Sequence, residues 1–431
     1  MATVTVDQAK LVLNSFAAIF QNNLVSKDLV TWKKFDGEMN DRNGLTVVEQ
    51  VSPDYTTTFT TNVVQDLSGG VQDSPFGSEQ YKLTQVIGSS MGWADFVKIR
   101  DVGAARESQA LRKAALRLAT DIDAYLIGFA AKASNNWVGN TNGTNAVASF
   151  SDVATAITRL KKEGVEDEVT AVLAYDDWQA LGANVVNNNA SLMNIGDGVY
   201  RSGFQGTVAG VPTIFTQQLQ PLTVGTRVAS GTTLTNQPGS PAVTYASVAI
   251  SGAQGQYMTS TINLDGQAGS VTLKDGEVFT IAGVFAYDSR AKKQLEHLQQ
   301  FRVVGDYTAA AGAFTNVRIF PAIITSGIYQ TVVNTNANFD NLAVTHIGAA
   351  GTATSPRFMA NKDAIIVATA DLIMPATGTA SRKALTKVPL SVRMWQDSVF
   401  ATGEHRIRFD VALEANVAAD GRRRITRLNG A

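Results

Sequence analysis

AARESQALRKAALRLATDIDAYLIGFAAK, residues 104–132, is the stretch on which the architecture turns. Leu111, Ala115, Leu118, Ile122, Leu126 and Phe129 recur every three or four positions with no proline among them, the period of an α-helix with one buried stripe. At 1.5 Å per residue such a helix spans roughly 40 Å, long enough to be the spine of a domain. Its other face carries Arg106, Glu107, Arg112, Lys113, Arg117, Asp121 and Asp123. Those charges read either as a solvated face with i,i+4 pairs or as a surface for another subunit.

On the N-terminal side, residues 6–25 read as a shorter amphipathic helix. Val6, Ala9, Leu13, Phe16, Ala17 and Phe20 form its stripe and Asp7 sits at the positive end of the helix dipole. It reads as an arm that needs a partner surface. Between Leu45 and Tyr81 the pattern changes to the β-branched runs LTVVEQV and TTTFTTNVV, broken at Ser68-Gly-Gly and Asp73-Ser-Pro. That predicts a strand pair ending in an extended loop, and one hairpin alone is marginal in water.

On the C-terminal side, a Gly/Asn-rich break at Asn135 to Asn145 precedes SDVATAITRLKKEG, a helix with a Ser/Asp cap that closes near Gly164. VTAVLAYDDWQAL then reads as a buried strand, a turn and a helix start, so a mixed α/β domain is expected over residues 145–220. From Leu222 to Asp340 the runs VTYASVAI, SVTL, EVFTIAGVFAY, QQFRVV and NVRIFPAII predict short strands with almost no helix, as in a compact barrel or sandwich. KDAIIVATADLIMP, LSVRMWQ and HRIRFDVAL restore the mixed pattern afterwards. The β-rich part is therefore read as an insertion, and these later segments as completing the earlier α/β sheet.

Composition bounds the chemistry. The 431 residues suit two to three domains with real cores. Lys plus Arg number 36 against 37 Asp plus Glu, a formal net charge of -1, which excludes a dedicated nucleic-acid binder resting on excess positive charge. Charged residues are 17% of the chain, low enough to suit a surface used for protein contacts. Absence of cysteine removes disulfides, thiolate metal sites and thiol nucleophiles. His297, His346 and His405 lie far apart in sequence and read as structural. The N-terminus lacks the basic flank and apolar core of a signal peptide, and no run reaches the ~18 apolar residues of a membrane span. The expectation is a soluble protein made in the cytoplasm, whose sequons at Asn142 and Asn189 are chance matches.

No phosphate loop, dinucleotide fingerprint, nucleophile elbow or zincin helix occurs, and no catalytic, cofactor or metal residue can be assembled. Glu166-Asp167-Glu168 and Asp176-Asp177 read as solvated turns, and Asp265 and Asp275, beside glycines, as Asx turns. GRRRITRLNG holds Arg422, Arg423, Arg424 and Arg427, a basic cluster that reads as a salt-bridged edge rather than a phosphate site. Trp32, Trp93, Trp137, Trp178 and Trp395 read as core or interface anchors.

Three stretches carry a resemblance: GTVAGVPTIFTQQLQP at 206–221, EVFTIAGVFAYDSRAKKQLEHLQQFRVV at 277–304 and KDAIIVATADLIMP at 362–375. In order and spacing they resemble the major capsid (coat) proteins of short-tailed double-stranded DNA phages of the P-twenty-two type. The resemblance implies an α+β Hong Kong 97-type phage capsid fold with an inserted all-β barrel-like domain. Its implied divisions are an N-terminal arm at 1–44, an extended-loop hairpin at 45–85 and a peripheral domain at 86–144 with spine helix 104–132. An axial α/β domain follows at 145–221, the insertion at 222–345, and completion of the axial and peripheral domains at 346–431. ADGRRRITRLNG departs from the Arg-Pro-containing finish of that family.

The implied function is structural: self-assembly with a scaffolding protein into hexamers and pentamers of an icosahedral shell, a procapsid that expands as DNA enters. Implied partners are a portal at one vertex, a decoration or cement protein, and packaged double-stranded DNA held by weak non-specific contacts, with no membrane and no cofactor. Assembly belongs in the bacterial host cytoplasm and the final location is the virion capsid. Subunit contacts are expected at Leu13, Phe16 and Phe20 of the arm, Phe59 and Phe76 of the loop, Arg106, Arg112 and Arg117 of the spine, and Arg422 and Arg423. A closed shell requires one chain to make several non-identical contacts, which arms and loops can adjust. The competing readings are an enzyme, such as a carbohydrate-active protein with a β-rich accessory module, and another structural phage component such as a decoration or tail protein.

Overall fold

A computed structural model describes residues 6–35, 46–51, 77–93, 103–140, 146–188, 207–228, 232–234, 241, 243–244, 258–288, 291–327, 329–375, 378–399, 404–418 and 424–430. In chain order the framework is helix α1 (Val6–Asn23), strands β1 (Thr31–Lys34) and β2 (Val86–Trp93), helix α2 (Gly103–Ala133), strand β3 (Asn136–Val138), helix α3 (Phe150–Lys162), strand β4 (Val169–Leu173) and helix α4 (Tyr175–Asn188). The strands β5 (Val278–Asp288), β6 (Lys293–Val303), β7 (Arg357–Asn361), β8 (Ile365–Thr369), β9 (Ser391–Val399), β10 (Glu404–Val417) and β11 (Ile425–Leu428) follow. The chain divides into two compact units, one of residues Met1–Val47, Tyr81–Phe129 and Ile365–Asn416, the other of Val48–Gln80, Ala130–Ala364 and Val417–Ala431.

In the first unit a six-stranded sheet runs β1-β8-β10-β9 and then Thr379–Ala384, with β2 also paired to β10. β1 and β8 are parallel, whereas β9, β10 and β2 are antiparallel in register, with Met394 opposite Phe409 and Phe409 opposite Ser89. Side chains alternate faces along a strand. Val392, Met394, Phe409 and Val411 therefore share one face and are buried, while Arg406 and Arg408 on the alternate positions of β10 are exposed. Helix α1 closes the apolar face: the Phe16 ring stacks on Phe409 with centroids 3.8 Å apart, and Phe16 and Phe20 are wholly buried. In α2 the stripe Leu111, Ala115, Leu118, Ile122 and Leu126 is buried as the period dictates, and Phe129 is half-buried against Tyr125.

The three segments expected to complete the earlier α/β sheet all supply strands to the first unit instead. β8, β9 and β10 build the first unit's sheet, and only β7 and β11 enter the sheet of the second. Periodicity gives a strand its faces but not its neighbours, so a non-local pairing of this kind is not encoded in the local pattern. Thr46–Val51, within the predicted LTVVEQV strand, pairs with Gly77–Lys82 as a two-stranded sheet, while the TTTFTTNVV run read as its partner falls in residues 52–76, outside the described residues.

In the second unit the sheet order is β3-β11-β7-β4 followed by Val211–Phe215 and Thr207–Val208. Helix α3 covers it through Val153, Ala156 and Leu160, which pack with Val169, Ala171, Leu173, Met359 and Leu428. The helix begins with a capping box in which the Ser149 side chain accepts from the Asp152 N–H and Asp152 reaches back to the Ser149 N–H. Gly164, at φ +91°, turns the chain away at its end.

Between β4 and β7 in sequence lies a second β ladder, ordered Thr232–Leu234, Ala343–Ile347, β5, β6, Phe314–Phe320 and Thr259–Asp265. Thr232–Leu234 also pairs with Thr259–Asp265, so the ladder returns on itself. Leu234, Ile262, Phe279, Ile281, Phe301, Phe314 and Val317 fill its inside. Closure removes the open edges that a free sheet would present.

Candidate assembly surfaces and the polar junction of the second unit

The arm stripe expected to meet another subunit is satisfied within the chain. Leu13, Phe16 and Phe20 are buried in the first unit, because a stacked aromatic pair on Phe409 withdraws more apolar surface than an isolated helix could leave in water. What α1 presents outward is Leu11, which is 66% exposed, with Asn14, Ser15 and Ala18.

On the long helix Arg112, Lys113 and Arg117 are exposed, and Arg117 pairs with Asp121 one turn later at 3.0 Å. Asp123 does not belong to that solvated face. It is buried and accepts the backbone N–H groups of Val25 and Ser26 at 3.0 and 2.9 Å, tying α1's exit to α2. Burial pushes its carboxyl up and those hydrogen bonds oppose the rise. The side chain of Arg106, and Phe59, Phe76, Arg422 and Arg423, lie outside the described residues.

Asp177, read as a solvated turn, is fully buried. It sits in the first turn of α4, where a carboxylate is favoured by unpaired N–H groups. It accepts from Ala174 N and Val147 N at 2.8 Å each and pairs with Arg357 Nε at 2.8 Å. An acidic residue three positions into a helix is the signal that could have found it. Asp265 accepts the N–H of the next residue, Gly266, rather than the N–H two positions on that defines an Asx turn, and Asp275 pairs with Arg302 at 2.8 Å and accepts the Gly305 N–H.

A set of buried arginines joins the parts of the second unit. Arg227 donates through Nε to Glu277 at 2.6 Å and through Nη2 to the Ile347 and Gly348 carbonyls at 3.1 Å. Glu277 also accepts the backbone N–H of Gly225 and Lys274. Arg302 on β6 reaches the Lys132 carbonyl at 2.5 Å. Arg427, which the basic tail pointed to as a surface edge, has no exposed area. It donates to the Ala131, Ser134 and Gly276 carbonyls at 2.9, 3.3 and 2.5 Å. Burial, and secondarily Arg302, pushes its guanidinium down to about 9. Trp137 anchors the same region: its backbone N–H donates to the Gln300 carboxamide oxygen at 2.6 Å, its carbonyl accepts from the Gln300 amide at 2.9 Å, and its ring packs with Val278 and Ile347.

Two histidines line this unit. His346 lies 5.7 Å from the Phe279 ring, and burial with the nearby Arg227 pushes it down to about 3. His297 is pushed down to about 4 by burial and by Arg159 and Lys162. Both are neutral at ordinary pH. Among the described residues no group of three His, Asp or Glu side chains could hold a metal ion, and no helix is long and apolar enough to cross a membrane.

The arm helix packed on a sheet, the long helix and the mixed α/β sheet are those of a major capsid protein of tailed phages with the Hong Kong 97-type fold, as the family match shows. The family model described as "P22 coat protein - gene protein 5" matches residues 1–419, and the chain belongs to that family. Among solved structures it is similar to the capsid of the cyanophage P-SCSP1u, at 11% identity, with 95% of this chain and 88% of that one covered and a TM-score of 0.44. It is also similar to Mycobacterium phage Che8, at 10% identity over 90% of this chain and 86% of that one with a TM-score of 0.42. The capsid of Ralstonia phage GP4 follows at 8% identity, 91% and 84% coverage and a TM-score of 0.43. No curated protein matches. The protein is accordingly a component of a phage shell that forms by self-association, and it is not an enzyme.

Proposed function

We propose that the chain assembles with a scaffolding protein into hexamers and pentamers of an icosahedral shell that encloses double-stranded DNA, with a portal at one vertex and room for a decoration protein. Family membership supports shell formation, and the scaffold, portal and DNA are inferred from how such shells work. The observation that carries the reading is the use of the arm. Its apolar stripe is consumed inside the chain while Leu11, a large apolar residue, stays exposed on the other side. The arm's outer face, Leu11 with Asn14, Ser15 and Ala18, is therefore assigned as the contact to a neighbouring chain or scaffold, replacing Leu13, Phe16 and Phe20.

Arg112 and Arg117, exposed on α2, are assigned to a second contact, to which Arg106 of the same helix belongs by sequence position. Phe59 and Phe76 of the extended loop, and Arg422 and Arg423, are assigned to contacts with neighbours on sequence grounds. A near-neutral chain suits an inner wall that must release DNA, since affinity for phosphates scales with the cations committed to them. The free subunit should accordingly bind DNA weakly in low salt. Leu11→Glu tests the arm: monomer melting is expected within about 0.5 kcal/mol of the parent, as for other exposed sites, while shell yield with scaffold collapses. Unchanged shell yield would remove the arm from the interface.

A further inference from the structure

The last strand, β11, occupies an unusual place. It lies between β3, which directly follows the long helix, and β7, which directly follows the closed β ladder. It runs parallel to β3 with Arg427 opposite Trp137, and antiparallel to β7 with Arg427 opposite Phe358. β3 has no other strand neighbour among the described residues, so its backbone ladder rests on β11, while the side chains of Glu163 and Gln300 bond Asn136 and Trp137 from outside the sheet. Further bonds fasten the same seam: Ser134 Oγ donates to the Ile425 carbonyl at 2.7 Å, Asn429 N to Val138 O at 3.0 Å and Asn140 N to Gly430 O at 3.1 Å.

Arg427 extends that seam in a third direction. Its guanidinium reaches the Ala131, Lys132 and Ser134 carbonyls at the C-terminal end of α2 and the Gly276 carbonyl in the turn before β5. Carbonyls at a helix C-terminus lack intrahelical donors and carry the negative end of the helix dipole, so a cation satisfies them doubly. Arg302, from β6, donates to Lys132 O as well. Gly276 holds φ +91°, and a Cβ there would lie 3.3 Å from Lys132 O and 3.4 Å from Arg427 Nη2. A side chain there would be strained by its φ and would press on the Lys132 carbonyl and the guanidinium.

We propose that β11 is a lock: seating Arg427 joins the end of α2, the Gly276 turn and strand β3 into one body, and withdrawing it frees all three while the closed β ladder keeps its own fold. The lock has two states rather than a gradation, because its partners are carbonyls spread over three parts of the chain. A guanidinium moved partway out would be a buried charge without its hydrogen bonds, which is costlier than either the fully seated or the fully hydrated state. The ladder stays folded in both states because its core, from Leu234 to Val344, does not include β11. This inference stands on the second unit alone and does not depend on the scaffold reading.

Hydrogen exchange on the full-length chain tests it, comparing the parent with Arg427→Met, which keeps length and removes the donors. Peptides covering 131–140, 274–277 and 425–430 are expected to exchange at least tenfold faster together, with peptides of β5 and β6 at parent rates. Arg427→Lys, which keeps the charge but not the fork, should fall between. Should Arg427→Met fail to fold, Gly276→Ala reaches the lock from the turn and is expected to speed exchange at 425–430, some 150 residues away in sequence. Acceleration confined to the mutated segment, or spread evenly through β5 and β6, would overturn the proposal.

Discussion

Single residues decide more here than their surface type suggests. Asp123 and Asp177 stand in segments that read as solvated and Arg427 in one that reads as a salt-bridged edge, and each is instead buried on backbone groups that would otherwise lack partners. Replacing Asp123 by Ala strands the Val25 and Ser26 N–H groups, and urea unfolding should show a loss of about 1–3 kcal/mol. The histidines set a pH dependence. Their folded pKa values, about 4 for His297 and about 3 for His346, lie below the ordinary 6.5, so between pH 6.5 and about 4 the unfolded chain binds protons that the folded chain refuses. Stability is complete above 6.5 and falls with pH through that window. His297 alone accounts for about 3 kcal/mol at roughly 1.4 kcal/mol per pH unit. Asp123, pushed up, opposes this at the acid end, while Asp306 and Asp371, pushed down, lose their contribution only below the ordinary 3.8. His297→Gln should flatten the slope of melting temperature against pH between 4 and 6.5, and an unchanged slope would refute the assignment. Of these roles only that of Asp177 leaves a local trace, a carboxylate in the first turn of a helix; the others do not, because a buried charge differs from an exposed one only in what lies opposite it.

Elements were read from sequence more securely than their neighbours. Helices α1, α2 and α3 follow their 3.6-residue stripes, and α3 even displays its cap, Ser149 with Asp152 three positions on. Ser149→Ala should therefore destabilise by about 1 kcal/mol in thermal melts, the usual worth of an N-cap. Strand positions were legible for the same reason, yet β8, β9 and β10 were assigned to the wrong sheet, since alternation specifies faces and leaves partners open. The arm illustrates the consequence for function. Its stripe signalled a missing partner, correctly, but the partner is Phe409 of the same chain. Phe16→Ala should cost about 3–5 kcal/mol in denaturant unfolding, as for other buried aromatics, and release α1 to exchange. A small loss without release would mean that the stacked pair does not hold the arm.

At the scale of the whole molecule, membership of the P22 coat protein family over residues 1–419 makes the chain a building block of a shell. The exposure of Arg112 and Arg117 was legible, because solvated helical positions follow directly from the buried stripe. The junction at Arg427 was not legible, because a strand as short as Ile425–Leu428 gives no hint that it closes a sheet begun near residue 136. The central claim is that this chain closes into a shell. The direct measurement is sedimentation velocity with negative-stain imaging of the full-length protein co-expressed with the scaffolding protein of the same phage. Closed icosahedral particles tens of nanometres across are the predicted result, their diameter giving the number of subunits. A lone soluble species of 45.8 kDa, with the scaffold present and intact, would contradict it.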